Sequence, residues 1–199
     1  MPFRKPSPFT TLLTGFVMLP VLVASSFAVF AEPPAGVVGY ACRDHQALVL
    51  LAYDKGPNRK GWAAFGGGGE KGERIADTAA REFREETRCA FEAPLADQLQ
   101  GQPRSVIGPF YSYVWQVPFV DAEQIEKSRC GTPGERNQFI WVSAADLAHA
   151  VRITGQIKAV QAAKDKNPDR NYPLWFAGRI ALQQAMQDGL LPVDDSVCQ

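Results

Sequence analysis

Three glutamates, Glu82, Glu85 and Glu86, fall within the seven residues "REFREET" from Arg81 to Thr87. On a helix, positions three and four apart lie on one side, so the three carboxylates share a face. Like charges that close raise one another's pKa unless a cation compensates. A hard dication such as magnesium takes oxygen ligands and would resolve the conflict. Such a set could hold a metal and take a proton from water. The competing reading is a solvated acidic helix, its repulsion damped by Arg81 and Arg84. Ile75, Ala76, Ala79, Ala80 and Phe83 gather on a neighbouring arc that suits a core. The carboxylates therefore stand beside the buried face, where the rim of a cleft would lie.

Upstream residues decide between the two readings. Gly67 to Cys89 reads "GGGEKGERIADTAAREFREETRC". This resembles the Nudix box, Gly-x5-Glu-x7-Arg-Glu-U-x-Glu-Glu-x-Gly-U, where U is bulky and apolar. Gly67 matches the first glycine and Glu73 the first glutamate. Arg81 and Glu82 match the Arg-Glu pair, Phe83 the first apolar position, and Glu85 and Glu86 the paired glutamates. Cys89 serves as the last apolar position. Two differences stand out: Arg88 replaces the motif glycine, and Phe65 stands before the box where many members have proline.

The resemblance implies an α/β chain folded as a Nudix-like α/β/α sandwich with a mixed β-sheet. It implies hydrolysis of a nucleoside diphosphate linked to another group, with Mg2+ or Mn2+ as cofactor. Glu82, Glu85 and Glu86 then look like the metal-binding and base-supplying carboxylates, and Gly66 like the residue whose carbonyl helps bind metal. Gly66, Gly67 and Gly68 would let the backbone approach phosphates, because no Cβ stands in the way. Glu73 is similar to the glutamate that pairs with the motif arginine, here Arg81. The expected base is Glu82. Glu135, in "GTPGERN", is similar in placement to a further acidic loop residue of the family and is the alternative base or metal ligand. If the motif glycine position needs a positive φ, Arg88 costs on the order of 1 kcal/mol there. That predicts an altered helix exit with the chemistry retained.

These residues need a scaffold. "VVGYACR" and "ALVLLAYD", separated by "DHQ", read as a hairpin. "WAAF" reads as a short strand running into four glycines, and residues 75–88 as the best helix of the first half. "YSYVWQVPFV" and "QFIWVS" are strand-like, with the loop "RCGTPGERN" before the second. Ser143 begins a helix with Asp146 three residues on, a capping-box spacing. "GQIKAVQAAKDK" and "LWFAGRIALQQAMQDG" read as two more helices, divided by the turn-like "NPDRNY". Strands mixed with helices suit a layered α/β domain.

The 199 residues suit one globular domain with a decorated N-terminus. Arg4 and Lys5 precede an uncharged apolar stretch ending in small residues, the pattern of an export signal over residues 1–31. An uncleaved anchor is the alternative. Residues 32–36 read as a linker and 37–199 as the hydrolase domain with C-terminal helices. Losing Arg4 and Lys5 from 21 basic residues leaves 19 against 21 acidic ones, a net of about −2. No basic stripe favours nucleic acid, and no polybasic patch favours membrane docking once the signal is gone. The expected localisation is periplasmic or secreted, membrane-anchored if the signal is retained, and the expected partner a nucleotide-type small molecule. Cys42, Cys89, Cys130 and Cys198 permit up to two disulfides in an oxidising compartment, with three pairings open. His45 and His149 belong to no recognisable triad. Tyr53, Trp62, Phe65, Tyr111, Tyr113 and Trp115 include candidates for base stacking, although strand faces and core claim most such rings. The alternative function is a catalytically silent Nudix-fold nucleotide-binding module. A calcium-binding structural site is a third, without EF-hand spacing to support it.

Overall fold

Apolar residues run almost unbroken through the second strand, as they must when both faces of a sheet are covered. Leu48, Leu50 and Ala52 point to one side; Ala47, Val49 and Leu51 point to the other, and all six are buried. A computed structural model describes residues 32–56, 58–130, 136–162 and 170–199. Residues 1–31, expected to be an export signal, and Glu135 lie outside the described residues.

The predicted hairpin is present as β1 (Ala35–Arg43) and β2 (Gln46–Gly56). Asp44 and His45 make its turn, both at positive φ. β1 starts two residues earlier than the sequence suggested, because Ala35 and Gly36 pair with Gly67 and Gly66. β3 (Arg59–Ala63) pairs with β2, and β4 (Phe65–Gly67) with β1. α1 (Ile75–Glu86) follows the glycine loop, then a short α2 (Ala96–Leu99). β5 (Arg104–Ile107) and β6 (Phe110–Gln116) form a second hairpin, and β6 runs parallel to β1. After α3 (Ala122–Lys127) come β7 (Phe139–Ser143) and α4 (Ala144–Arg152). The Ser143 hydroxyl accepts from the Asp146 amide at 3.4 Å, the expected N-cap.

The chain then departs from expectation. The helix anticipated in "GQIKAVQAAKDK" is replaced in its described part by β8 (Gln156–Lys158) and β9 (Gln161–Ala162). β9 takes the open edge of β7, and β8 pairs with β10 (Asn171–Pro173). Pairing with existing edges outweighed a weak local helix preference. α5 (Phe176–Gln187) follows, trimmed at both ends relative to the sequence reading.

The main sheet runs β5-β6-β1-β2-β7-β9, with β3 and β4 as short additions, and is antiparallel except between β1 and β6. α1 packs on one face through Ala76, Ala79 and Phe83, the apolar arc read from the sequence. α4 and α5 cover the other face through Leu147, Val151, Leu182 and Ala185. This is the expected α/β/α sandwich with a mixed sheet.

Two disulfides form, Cys42–Cys198 and Cys89–Cys130, which use all four cysteines. The first ties β1 to the C-terminus, and the second ties the exit of α1 to the chain after α3. That exit is where the motif glycine is missing. Arg88 has φ +59°, the left-handed region in which a Cβ is unfavourable. Its Nε donates to the Ser128 carbonyl at 2.8 Å, which offsets the strain. Arg88→Ala keeps the strain and loses the bond, whereas Arg88→Gly removes both. Denaturant unfolding should therefore find the glycine variant more stable than the alanine variant by about 1 kcal/mol. Equal stabilities would show that φ is not the constraint.

Candidate active site

Arg81 organises the outer half of the site. Its Nε donates to Glu73 Oε1 at 2.7 Å and its Nη2 to Glu73 Oε2 at 3.1 Å, a two-pronged pair joining loop to helix. Nη2 also donates to the Gly68 carbonyl at 2.8 Å. Nη1 reaches Glu82 Oε1 at 2.8 Å and Glu85 Oε2 at 3.2 Å. One guanidinium thus holds three carboxylates and the glycine loop together. Hydrogen bonding from Arg81 brings the Glu73 carboxyl down to about 2, helped by the Glu70 amide and the Thr78 hydroxyl.

That lowered value has a sign. A carboxyl depressed on folding adds stability above its ordinary 4.5, and the contribution disappears as pH falls towards 2. Glu73→Gln should flatten the dependence of unfolding free energy on pH between those limits. An unchanged acid limb, followed by circular dichroism, would contradict the pairing.

The inner half is built around Glu86, which is 5% exposed and not on a rim as the sequence suggested. Its Oε2 accepts the Gly66 amide at 2.7 Å, and its Oε1 accepts Arg136 Nε at 2.8 Å. Burial pushes the Glu86 carboxyl up to about 7, against the opposing pull of Arg136 and the Gly66 amide. Arg136 is itself buried, with Nη2 3.5 Å from Asp54 Oδ2. Asp54, at the end of β2, also accepts the Gly56 amide at 2.9 Å and lies 3.6 Å from Arg59.

Glu82 sits under the glycine loop. A Cβ on Gly67 would come within 2.6 Å of its carboxylate, so a side chain there would push Glu82 out of its present position. A cavity of about 370 Å³ collects Glu82, Glu86, Asp54, Arg59, Arg136 and the Gly66–Gly68 backbone. Glu85 is set aside on Arg81 and faces a separate hollow beside Cys89. Asp54, Arg59 and Arg136 were missed by sequence reasoning. A lone aspartate closing an apolar strand was the available signal for Asp54; nothing distinguished Arg136 from an ordinary loop cation. Trp62, Phe65 and Tyr113 are buried in the core, where Phe65 packs edge-on to Phe83.

The oxygen donors of Glu82, Glu85, Glu86 and the Gly66 carbonyl are the types a hard dication takes. Among the described residues, no three acidic, cysteine or histidine side chains converge closely enough to hold an ion as they stand. Arg81 and Arg136 neutralise the carboxylates instead. Donor chemistry fits a dication, and loading one needs a carboxylate to turn from its arginine.

With this geometry established, the NUDIX domain family model matches residues 32–169, and the chain belongs to that family. No curated protein matches the sequence. A MutT/nudix family protein from Enterococcus faecalis is similar in structure at 16% identity and TM-score 0.46, covering 78% of this chain. The chain spans 61% of the length of that protein. A Nudix hydrolase from M. smegmatis matches at 14% identity, over 80% of this chain and 89% of its own, with TM-score 0.41. A C. elegans Ap4A hydrolase matches at 18% identity, over 62% and 85%, with TM-score 0.36.

Proposed function

We propose that the protein is a metal-dependent hydrolase that cleaves the pyrophosphate bond of a substituted diphosphate. In the family's terms the substrate is a nucleoside diphosphate linked to another group. The observation that carries this reading is the placement of Glu82 and Glu86 in one cavity with the Gly66–Gly68 backbone. Gly67 brings peptide groups against Glu82, while Arg59 and Arg136 supply positive charge for phosphate oxygens. Glu82 takes the proton of the attacking water; Glu86 offers metal oxygens with the Gly66 carbonyl, and Glu85 would join them on turning from Arg81. Arg81 and Glu73 hold loop and helix in register. A bound Mg2+ or Mn2+ supplies charge neutralisation on the diphosphate and acidifies the attacking water. Glu135 remains the alternative base.

Residues 1–31 serve as the export signal, and the two disulfides suit an oxidising compartment. Among the described residues, no helix is long and apolar enough to cross a membrane.

The test is turnover. Purified mature protein is incubated with Mg2+ and a panel of dinucleotides, nucleotide sugars, ADP-ribose and simple organic diphosphates, and products are separated. Cleavage at the pyrophosphate, abolished by chelator, is expected. Binding without products would mark a silent module, and no cleavage of any compound would end the hydrolase reading.

A further inference from the structure

A second cavity of about 500 Å³ opens between the sheet and α5. Phe65, Phe110, Trp175, Ala177, Ile180 and Ala181 supply much of its wall. Gly66 to Gly68, Arg59 and Arg136 line both this cleft and the carboxylate cavity, so the two are continuous. Apart from those arginines and the Trp175 indole, Ser112 contributes the sole polar side chain among the described residues lining it. The result is an amphipathic site. Its charged end carries the glutamates, and its other end is almost wholly hydrocarbon.

A nucleobase buried there would leave ring nitrogens and exocyclic groups short of partners, and unpaired buried polar atoms are costly. An aliphatic chain has no such atoms and gains with every methylene removed from water. Size agrees, since clefts of this volume take whole small-molecule substituents. We propose that the cleft binds the aliphatic chain of an organic diphosphate, with its phosphates against Arg59, Arg136 and the glycine loop. This rests on the diphosphate-hydrolase reading and narrows the organic group that reading leaves general. In the reaction, the water oxygen bonds to one phosphorus as the bridging P–O bond breaks. The bridging oxygen leaves on the other phosphate, and the water proton passes to the carboxylate base and on to solvent. An alkyl phosphate and inorganic phosphate result.

Isopentenyl, geranyl and farnesyl diphosphate, with five, ten and fifteen carbons, are assayed with Mg2+ beside ADP-ribose and a dinucleoside polyphosphate. The expected result is cleavage of the alkyl series with KM falling along it, by up to about fourfold per buried methylene. Ile180→Asp should raise KM for the fifteen-carbon compound at least tenfold more than for the five-carbon one. Cleavage of the nucleotides with no trend along the alkyl series would overturn this inference and leave the hydrolase reading standing. Equal effects of Ile180→Asp on both alkyl lengths would overturn the role of the cleft. No cleavage of either class would bring down both. The length series needs only the parent protein, so it decides the matter even if the variant does not fold.

Discussion

Glu82→Gln is expected to lower kcat by about 10²- to 10⁴-fold, the range that loss of a positioned base produces. The substitution keeps the side chain's volume and an oxygen for Arg81 Nη1, so the 2.8 Å contact has a successor. What it removes is the ability to take a proton beneath the Gly66–Gly68 backbone. KM should change much less than kcat, because the groups proposed to meet phosphate, Arg59, Arg136 and the glycine loop, are untouched. Thermal unfolding controls for structure, and the melting temperature should stay within a few degrees. Wild-type kcat in Glu82→Gln would transfer the base role elsewhere, with Glu135 next. Glu86→Gln should also silence turnover, by removing a charge the metal needs. With Glu86 raised to about 7, metal binding near pH 6 should release a proton in the parent and not in Glu86→Gln. Calorimetry in buffers of different ionisation enthalpy reads that difference.

Arg136→Met is expected to cost about 3–5 kcal/mol of stability, the range for stripping one partner from a buried ion pair. Its guanidinium lies between Glu86 and Asp54, all three nearly inaccessible to water. Methionine fills space but leaves the buried Glu86 carboxylate without its ion-pair partner. Glu86 must then shift further towards the protonated form or admit water. Magnesium should recover part of the loss, because an ion that binds only the folded state stabilises it by mass action. The melting temperature of Arg136→Met should accordingly rise more with added Mg2+ than that of the parent. A loss under about 1 kcal/mol would mean that Arg136 is not the charge that keeps Glu86 inside.

Much of the candidate site's layout was legible because it is written locally. Glu73 to Glu86 span one loop and one helix, and helical geometry fixes which of them share a side. The apolar arc Ala76, Ala79 and Phe83 fell on the core face for the same reason. Local spacing could not show that Glu86 turns inward. That depends on Arg136, fifty residues on, and on the Gly66 amide across the β1–β4 pairing. Asp54 was hidden likewise, its role arising from β2 ending where Arg136 arrives. The segment 156–162 misled because its strands owe their existence to edges supplied by β7 and β10. Pairing of the cysteines also needed the fold, since Cys89 and Cys130 meet only through the placement of the chain after α3.

The most direct measurement is binding of Mn2+, followed by its paramagnetic resonance signal, in the presence of a methylene-bridged diphosphate that cannot be cleaved. The parent protein should take up the ion, Glu86→Gln should weaken that uptake severely, and Glu82→Gln should weaken it far less. Uptake that is absent in the parent, or identical in all three proteins, would contradict a metal centre built from these glutamates.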